Sequence, residues 1–267
     1  MEFRYIGRSG LRVSPICLGT MTFGSTVEKE EAFAIMDMAF ENGINFFDTA
    51  EIYPVPPAGE TVGITEEIVG AWLATKDRDA LILATKVTGA ASGWFVPPVR
   101  HGLTAVDRHH ISRAVEASLR RLKTDYIDLY QMHWPDSVVP LEESMEAFDR
   151  LVRDGKVRYL GTSNDSAYGT TKANMICECY GYRRFESIQN NFSLLNRRFL
   201  DEMVPLCREE KISLLSYSPM AGGVLSGKYN RDPKTAGRFT RYAASPEERV
   251  RKMADRFLNE KTRAATA

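Results

Sequence analysis

Residues 46–53 read FFDTAEIY. Two aromatics close a short apolar run, Asp48 follows at once, and the phenol of Tyr53 stands five residues further on. A buried strand that stops on an acid is placing polar chemistry at its C-terminal end. The same pattern recurs along the chain. Apolar runs rich in β-branched and aromatic residues appear as ICLG (16–19), NFFD (45–48), LILATK (81–86), IDLYQMH (127–133), VRYLGTS (157–163), SIQN (187–190) and ISLLSYS (212–218). Their starts lie roughly 25–45 residues apart, the scale of a strand plus a crossover helix.

Helical patterns fill the gaps. Over 30–42, Ala32, Ile35, Met36, Ala39 and Phe40 share one face, with Gly43 as a stop. Over 107–122, Asp107 is the expected cap and Ile111, Val115, Leu119 and Leu122 form the stripe. Over 142–154, Met145, Phe148, Leu151 and Val152 repeat the pattern before Gly155, and Asp165 and Asn196 are the expected caps of two more helices. Apolar residues three and four apart, with a capping side chain at the start or a glycine at the end, mark these helices.

Seven strands alternating with helices imply a parallel sheet covered by helices, either open and doubly wound or closed as a barrel. The polar residues choose between them. Asp48, Lys86, His133, Ser163, Asn164, Gln189 and Tyr217 fall at the C-terminal ends of different strands. A barrel aims those ends at one spot, whereas an open sheet spreads them along a line. The expected fold is therefore α/β, of the (α/β)8 TIM-barrel type. FRYIGRSGLRVS (3–14) supplies an N-terminal β-hairpin to plug the bottom. No eighth apolar run follows, and PEERVRKMADRFLNEKTRAATA (246–267) reads as one helix and a frayed tail. Residues 1–267 are expected to form a single barrel domain, incomplete before its eighth strand and with two open sheet edges. Weak cofactor binding and self-association are expected of such a form.

With 267 residues, 43% hydrophobic, the chain can bury a sizeable core. Lys+Arg and Asp+Glu are both 35, a balance unlike a nucleic-acid footprint or a basic membrane-seeking face. No apolar run approaches the roughly 18 residues of a spanning helix. MEFRYIGRSG lacks the shape of a signal peptide, and Cys17, Cys177, Cys179 and Cys207 lack CxxC spacing, which points to reduced thiols in a cytoplasmic protein. His101, His109 and His110 show no metal-ligand spacing, no GxSxG occurs, and GTMTFG (19–24) is not a GxGxxG fingerprint.

Asp48, Tyr53, Lys86 and His133 make chemical sense together. A free phenol has a pKa near 10 and is a poor acid at neutral pH, but a nearby ammonium stabilises its phenolate. Lys86 would need a carboxylate to hold it, and Asp48 can serve. His133 could orient a substrate oxygen. Such a set suits protonation of a carbonyl oxygen while hydride arrives at its carbon. Taken singly, each residue has an ordinary explanation: a loop cap, a packed ring, a solvated lysine, a structural histidine.

The quoted words GINFFDTAEIY, TKV, YIDLYQMHWPD, GKVRYLGTSN, SIQNNFSLLNR and SYSPMAGGVLSGKY together resemble the aldo-keto reductases, in particular the branch of Tas-like proteins and potassium-channel β subunits. The resemblance covers about residues 3–245. It implies an (α/β)8 barrel that binds NADP(H) without a Rossmann fold. By resemblance, Asp48, Tyr53, Lys86 and His133 match the catalytic four, and Ser163, Asn164 and Gln189 match positions holding the nicotinamide carboxamide. Tyr217 matches the aromatic under the nicotinamide ring. Ser218, Pro219, Met220, Gly222, Leu225 and Lys228 match the loop over the pyrophosphate, and Arg238 matches a further basic contact. Gly19, Thr20 and Met21 match the loop near the nicotinamide ribose. Side-chain amide groups, a flat ring and small residues that let backbone amides approach phosphate are what those roles require.

The function that follows is NADP(H)-dependent reduction of an aldehyde or ketone to an alcohol, with Tyr53 as general acid. The alternatives are a cofactor-binding regulatory protein of the same fold, or an inactive truncated form. The partner implied is a small carbonyl substrate, with neither nucleic acid nor membrane, and an oligomer is left open. The long loops YPVPPAGE (53–60) and TGAASGWFVPPVRHG (88–102) follow the second and third strands, where substrate sites usually sit. The stretches 54–60 and 88–106, with Trp94, Phe95 and Trp134, are the expected pocket walls.

Overall fold

The structure, a computed structural model, describes residues 1–90, 100–232 and 235–266. Trp94 and Phe95, expected in the pocket wall, lie outside the described residues. The chain divides into two compact units: Met1–Ile188 with Leu206–Leu214, and Gln189–Pro205 with Leu215–Ala267.

The chain opens with β1 (Arg4–Tyr5) and β2 (Arg12–Val13), an antiparallel hairpin with Arg4 opposite Val13. Its tip is tied to the N-terminal ends of later strands, as the plug reading expects. The Gly7 amide donates to Ser213 Oγ at 2.8 Å, the Arg8 amide to Glu186 at 2.8 Å, and the Gly10 amide to Tyr159 Oη at 3.1 Å. Gly7 has φ +53°, and a Cβ there would lie 2.4 Å from the Glu186 carbonyl oxygen, so the tight approach requires glycine.

The wall of the fold is a sheet of seven strands among the described residues: β3 (Leu18–Gly19), β4 (Phe46–Asp48), β5 (Ile82–Val87), β6 (Ile127–Met132), β7 (Val157–Ser163), β8 (Phe185–Asn191) and β9 (Ser213–Tyr217). They are ordered β3-β4-β5-β6-β7-β8-β9, and the ladders from β3 to β7 are parallel. Strand order never reverses. Sequential neighbours are spatial neighbours throughout, which is barrel topology and not that of a doubly wound sheet with its switch point.

Helices cross between the strands: α1 (Lys29–Glu41), α2 (Ile64–Leu73), α3 (Arg108–Leu122), α4 (Leu141–Arg153), α5 (Ala167–Tyr180) and α6 (Phe199–Glu209). Gly43 ends α1 at φ +84°, and Gly155 follows α4 at φ +74°, both in the left-handed region that stops helices. Asp107 caps α3 as expected, its carboxylate accepting the His110 amide at 2.8 Å. Asp165 does not cap α5. Ser166 does, accepting the Gly169 amide at 3.0 Å, because the buried Asp165 carboxylate is taken by the Ser166 amide, Thr162 and Thr170. Asn196 is also not a helix cap. It lies three residues ahead of α6 in a turn with Ser193, its amide donating to Asn191 Oδ1 at 2.5 Å.

Two apolar clusters carry the first unit. One packs α3, α4 and α5 on β6, β7 and the start of β8 through Ile111, Phe148, Ala173, Tyr130, Leu160 and Phe185. The other packs α1 and α2 on β4 and β5 through Met36, Phe47, Trp72 and Leu83. Such burial of a Phe or Leu side chain is worth about 1.5–3 kcal/mol each. The second unit holds α7 (Lys228–Arg231) and α8 (Arg238–Ala243), and over 246–267 two helices, α9 (Glu248–Asp255) and α10 (Glu260–Ala264), stand where a single helix and a frayed tail were expected. Tyr229, Phe239, Tyr242 and Val250 form their common core, with the Phe239 and Phe257 rings stacked at 4.6 Å. No helix of the described residues is long and apolar enough to cross a membrane.

Candidate active site

Strand register builds the site. Asp48 pairs with Ala84, and two residues further along β5 Lys86 pairs with Gln131, which pairs with Gly161. A Cβ at Gly161 would stand 3.2 Å from Gln131 Cγ and 2.5 Å from Ser187 Oγ, so the glycine leaves room for the glutamine. This row places one acid, one ammonium and one amide on neighbouring strands.

The Lys86 side chain is 0% exposed. Its three N–H donors have three acceptors: Asp48 Oδ2 at 2.5 Å, the Thr49 carbonyl at 2.7 Å and Tyr53 Oη at 3.4 Å. A buried ammonium is tolerated only when paired and hydrogen-bonded in this way. Burial alone would lower the Lys86 pKa, but the Asp48 carboxylate and then Tyr53 outweigh it and raise it. The lysine is charged across the physiological range. Gln131 Nε2 donates to the other Asp48 oxygen, Oδ1, at 2.9 Å.

Tyr53 stands on a turn after β4, its amide donating to the Ala50 carbonyl at 3.1 Å, and packs with Ala50, Ile52, Met21, Val62 and Trp134. His133 follows β6 and meets the Tyr53 ring edge-on at 5.8 Å. It stacks on Trp134 at 3.9 Å. Burial first, and the Lys86 charge second, hold the His133 pKa well below the ordinary histidine value, so the ring is neutral. Its Nδ1 has no hydrogen-bond partner among the described residues. Thus Asp48, Tyr53, Lys86 and His133 are gathered into one cluster.

The other expected residues of this unit surround it. The Thr20 amide and hydroxyl both donate to the Asp48 carbonyl, at 3.0 and 2.9 Å. Nothing lies within 4 Å of where a Gly19 Cβ would be, and Met21 packs against the Tyr53 turn. Ser163 ends β7. Asn164 follows at φ +52° and donates to the His133 carbonyl at 3.0 Å and to Ser163 Oγ at 3.1 Å. Cys17, part-buried ahead of β3, has its thiol pKa pushed well up by burial and then by the Asp48 carboxylate.

In the second unit, Gln189 is buried in β8 two residues before its end rather than at it, and Tyr217 ends β9 about one-third exposed. Ser218, Ala221, Gly222 and Gly223 all have positive φ, between +49° and +94°. A Cβ on Gly222 would sit 2.4 Å from the Phe239 ring, and one on Gly223 would sit 3.1 Å from Lys228 Cε. Pro219 and Met220 are exposed, Leu225 and Lys228 half-buried, and Arg238 begins α8. Successive residues in such conformations turn backbone amides towards a common side, which suits an anion.

Sequence reasoning missed Gln131 and Glu51. The signal for Gln131 was available: in IDLYQMH it shares strand parity with His133, so an amide sits on the inward face of a buried strand.

A parallel sheet of consecutive strands plugged by a hairpin, with an acid-held lysine beside a tyrosine, defines the class. The chain belongs to the aldo/keto reductase family, whose sequence model matches residues 15–261. Among its relatives, the oxidoreductase YrpG of Bacillus subtilis (strain 168) is 40% identical over 259 residues, covering 96% of this chain and 77% of YrpG. The Tas protein of Escherichia coli (strain K12) is 39% identical over 277 residues, covering 94% of this chain and 79% of Tas. Norsolorinic acid reductase B of Dothistroma septosporum is 32% identical over 278 residues, covering 100% of this chain and 69% of that enzyme. The protein is an oxidoreductase of this family.

Proposed function

We propose that the chain reduces an aldehyde or ketone to an alcohol with NADP(H), Tyr53 acting as general acid. The observation that carries this reading is Lys86, fully buried, held by Asp48 at 2.5 Å and facing Tyr53 Oη at 3.4 Å. A phenol gives up its proton at neutral pH only where its phenolate is stabilised, and an ammonium that cannot turn away supplies that stabilisation.

When bound, the reduced nicotinamide supplies a hydride to the carbonyl carbon. As charge gathers on the carbonyl oxygen, Tyr53 Oη donates its proton to that oxygen and keeps the O–H electron pair. The phenolate so formed lies against Lys86, and Asp48 and the Thr49 carbonyl keep Lys86 from reorienting. Neutral His133 can offer an N–H to the substrate oxygen without adding a second cation beside Lys86.

The residues fit the cofactor. In the first unit, the Ser163 hydroxyl and Asn164 amide offer the donors and acceptors that a carboxamide needs. In the second unit, the loop from Ser218 to Lys228 pairs left-handed backbone with a lysine, a donor set suited to a pyrophosphate. Gln189 for the carboxamide, Tyr217 for the nicotinamide ring, Arg238 for phosphate, and Gly19, Thr20 and Met21 near the ribose complete the assignment by resemblance.

The test is NADPH consumption by the purified chain against a panel of aldehydes and ketones, with Tyr53→Phe alongside. The variant is expected to lose about 10²–10⁴-fold in kcat with NADPH affinity nearly unchanged. A variant keeping more than roughly a tenth of the rate would put the proton donor elsewhere. NADPH binding with no turnover on any carbonyl would favour the regulatory role.

A further inference from the structure

Glu51 lies in the turn between Asp48 and Tyr53 and is 2% exposed. β4 ends at Asp48, yet the chain continues to follow β5: the Thr49 amide donates to the Ala84 carbonyl at 2.9 Å, and the Glu51 amide to the Lys86 carbonyl at 3.2 Å. The Glu51 side chain then makes the next attachment. Its Oε2 accepts the Thr88 amide at 2.9 Å. The Thr88 carbonyl in turn accepts His110 Nε2 at 3.1 Å, which fixes the proton on that nitrogen and leaves His110 Nδ1 without a partner among the described residues. Glu51, Thr88 and His110 are all buried.

We propose that Glu51 is a positioning residue: its amide holds the Lys86 carbonyl and its carboxylate holds the Thr88 amide just past β5, so it registers the Tyr53 turn on the strand that carries the lysine. This rests on the reading of Tyr53 as the proton donor. Only Ile52, itself buried, separates Glu51 from Tyr53, so a shift of one is a shift of the other. The phenol–ammonium contact, at 3.4 Å, is already at the long limit of a hydrogen bond and has no slack to absorb such a shift. A buried carboxylate is costly to keep, and Arg121, which also faces Glu51, is already committed to Glu66 at 2.7 Å. Among the described residues, the titratable groups facing the Glu51 carboxylate are His110 of α3, whose Nε2 lies 3.9 Å away, Arg121 of α3 and Tyr130 of β6. Those at Tyr53 include Lys86, which Asp48 holds, and His133.

The test compares Glu51→Ala, Glu51→Asp and Glu51→Gln in the full chain, by steady-state kinetics and by NMR titration of tyrosine isotopically labelled at the ζ carbon. The Tyr53 signal is assigned by its loss in Tyr53→Phe. Ala removes the acceptor, and Asp withdraws it by one methylene while keeping the charge, so Asp carries the test if Ala fails to fold. Both are expected to lower kcat by about tenfold or more with KM for NADPH within about threefold, because a misplacement near 1 Å can cost that much. Both move the Tyr53 titration to higher pH than in the wild type. Gln keeps an oxygen at the same reach and recovers most of the loss. An unchanged Tyr53 titration in Asp, or equal losses in Gln and Asp, overturns the proposal. Because the titration needs no turnover, a wild-type chain inactive on every carbonyl refutes the reading of Tyr53 as acid, while the register of the turn is still decided by the titration.

Discussion

Gln131 Nε2 holds one oxygen of Asp48 at 2.9 Å while Lys86 Nζ holds the other at 2.5 Å, so the two strands after β4 in the sheet each clamp one side of the same carboxylate. Asp48 therefore cannot rotate to release the lysine without also breaking the amide. Gln131→Leu keeps the volume and removes that donor. A hydrogen bond to a charged group is worth about 1.5–3 kcal/mol, so the midpoint of denaturant unfolding should fall with an unchanged slope. kcat should fall with it, because Lys86 loses its fixed anchor. A stability change under about 0.5 kcal/mol would show the amide to be a bystander.

Asp48, Lys86 and His133 were legible in the sequence because each sits where an apolar run stops, and the Asp107 cap because a periodic apolar stripe starts just after it. Gln131 and Glu51 were not, for a different reason each. Gln131 lies inside an apolar run, where only strand parity marks it as inward-facing. Glu51 lies in a turn, where a carboxylate is ordinarily solvated, and only the neighbouring strand's Thr88 amide explains it. The expected caps of α5 and α6 failed on local competition. Asp165 and Asn196 both hydrogen-bond readily to nearby backbone or side chains, and here their sequence neighbours Thr162 and Thr170 and the Asn191 side chain took them first. α2 escaped because it follows a proline-rich loop and starts without a side-chain cap, at Gly63 with φ +89°.

Lys86→Met leaves the Asp48 carboxylate buried without its ammonium. Breaking one side of a buried pair costs about 3–5 kcal/mol. The sign with pH follows from the direction of the shift. The folded-state pKa of Lys86 is raised above 10.5, so its stabilisation is complete below that value and is lost as pH rises through the folded-state pKa. The stability gap between wild type and Lys86→Met should therefore be flat from neutral pH to the ordinary lysine range and shrink above it. A gap that already closes near neutrality, measured by denaturant unfolding at a series of pH values, would mean that the lysine is not paired as described.

His133 works in the opposite sense. Its pKa is held well below 6.5 in the folded chain, so on acidification the unfolded chain takes a proton there first. Its contribution favours the folded state above about 6.5 and turns against it as pH falls below that value towards the folded-state pKa. His133→Gln should remove this component and flatten the acid limb of the stability profile relative to wild type. Identical acid limbs would contradict a neutral, buried ring. Carbonyl reduction by wild type should show no inflection from this imidazole near the ordinary histidine pKa.

Gly70 tests the close approach of α2 to α3. A Cβ there would stand 2.1 Å from the Arg121 carbonyl oxygen and 2.7 Å from the Leu122 backbone. These are main-chain atoms at the end of α3, and they cannot rotate away as a side chain could. Two effects compete in Gly70→Ala. Alanine is the better helix former by about 0.8–1.0 kcal/mol in a helix interior. Overpacking against rigid surroundings typically costs about 1–3 kcal/mol and rises further when backbone must move. The clash should win, since α3 has to shift by roughly 1 Å to restore ordinary contact. That shift also pulls on Arg121, whose guanidinium holds Glu66, which in turn accepts the Thr85 hydroxyl next to Lys86. Gly70→Ala should lower the thermal midpoint by a few degrees and reduce kcat modestly. A variant as stable as wild type would show that α2 and α3 have room to separate, and that the register of the Lys86 strand does not depend on their contact.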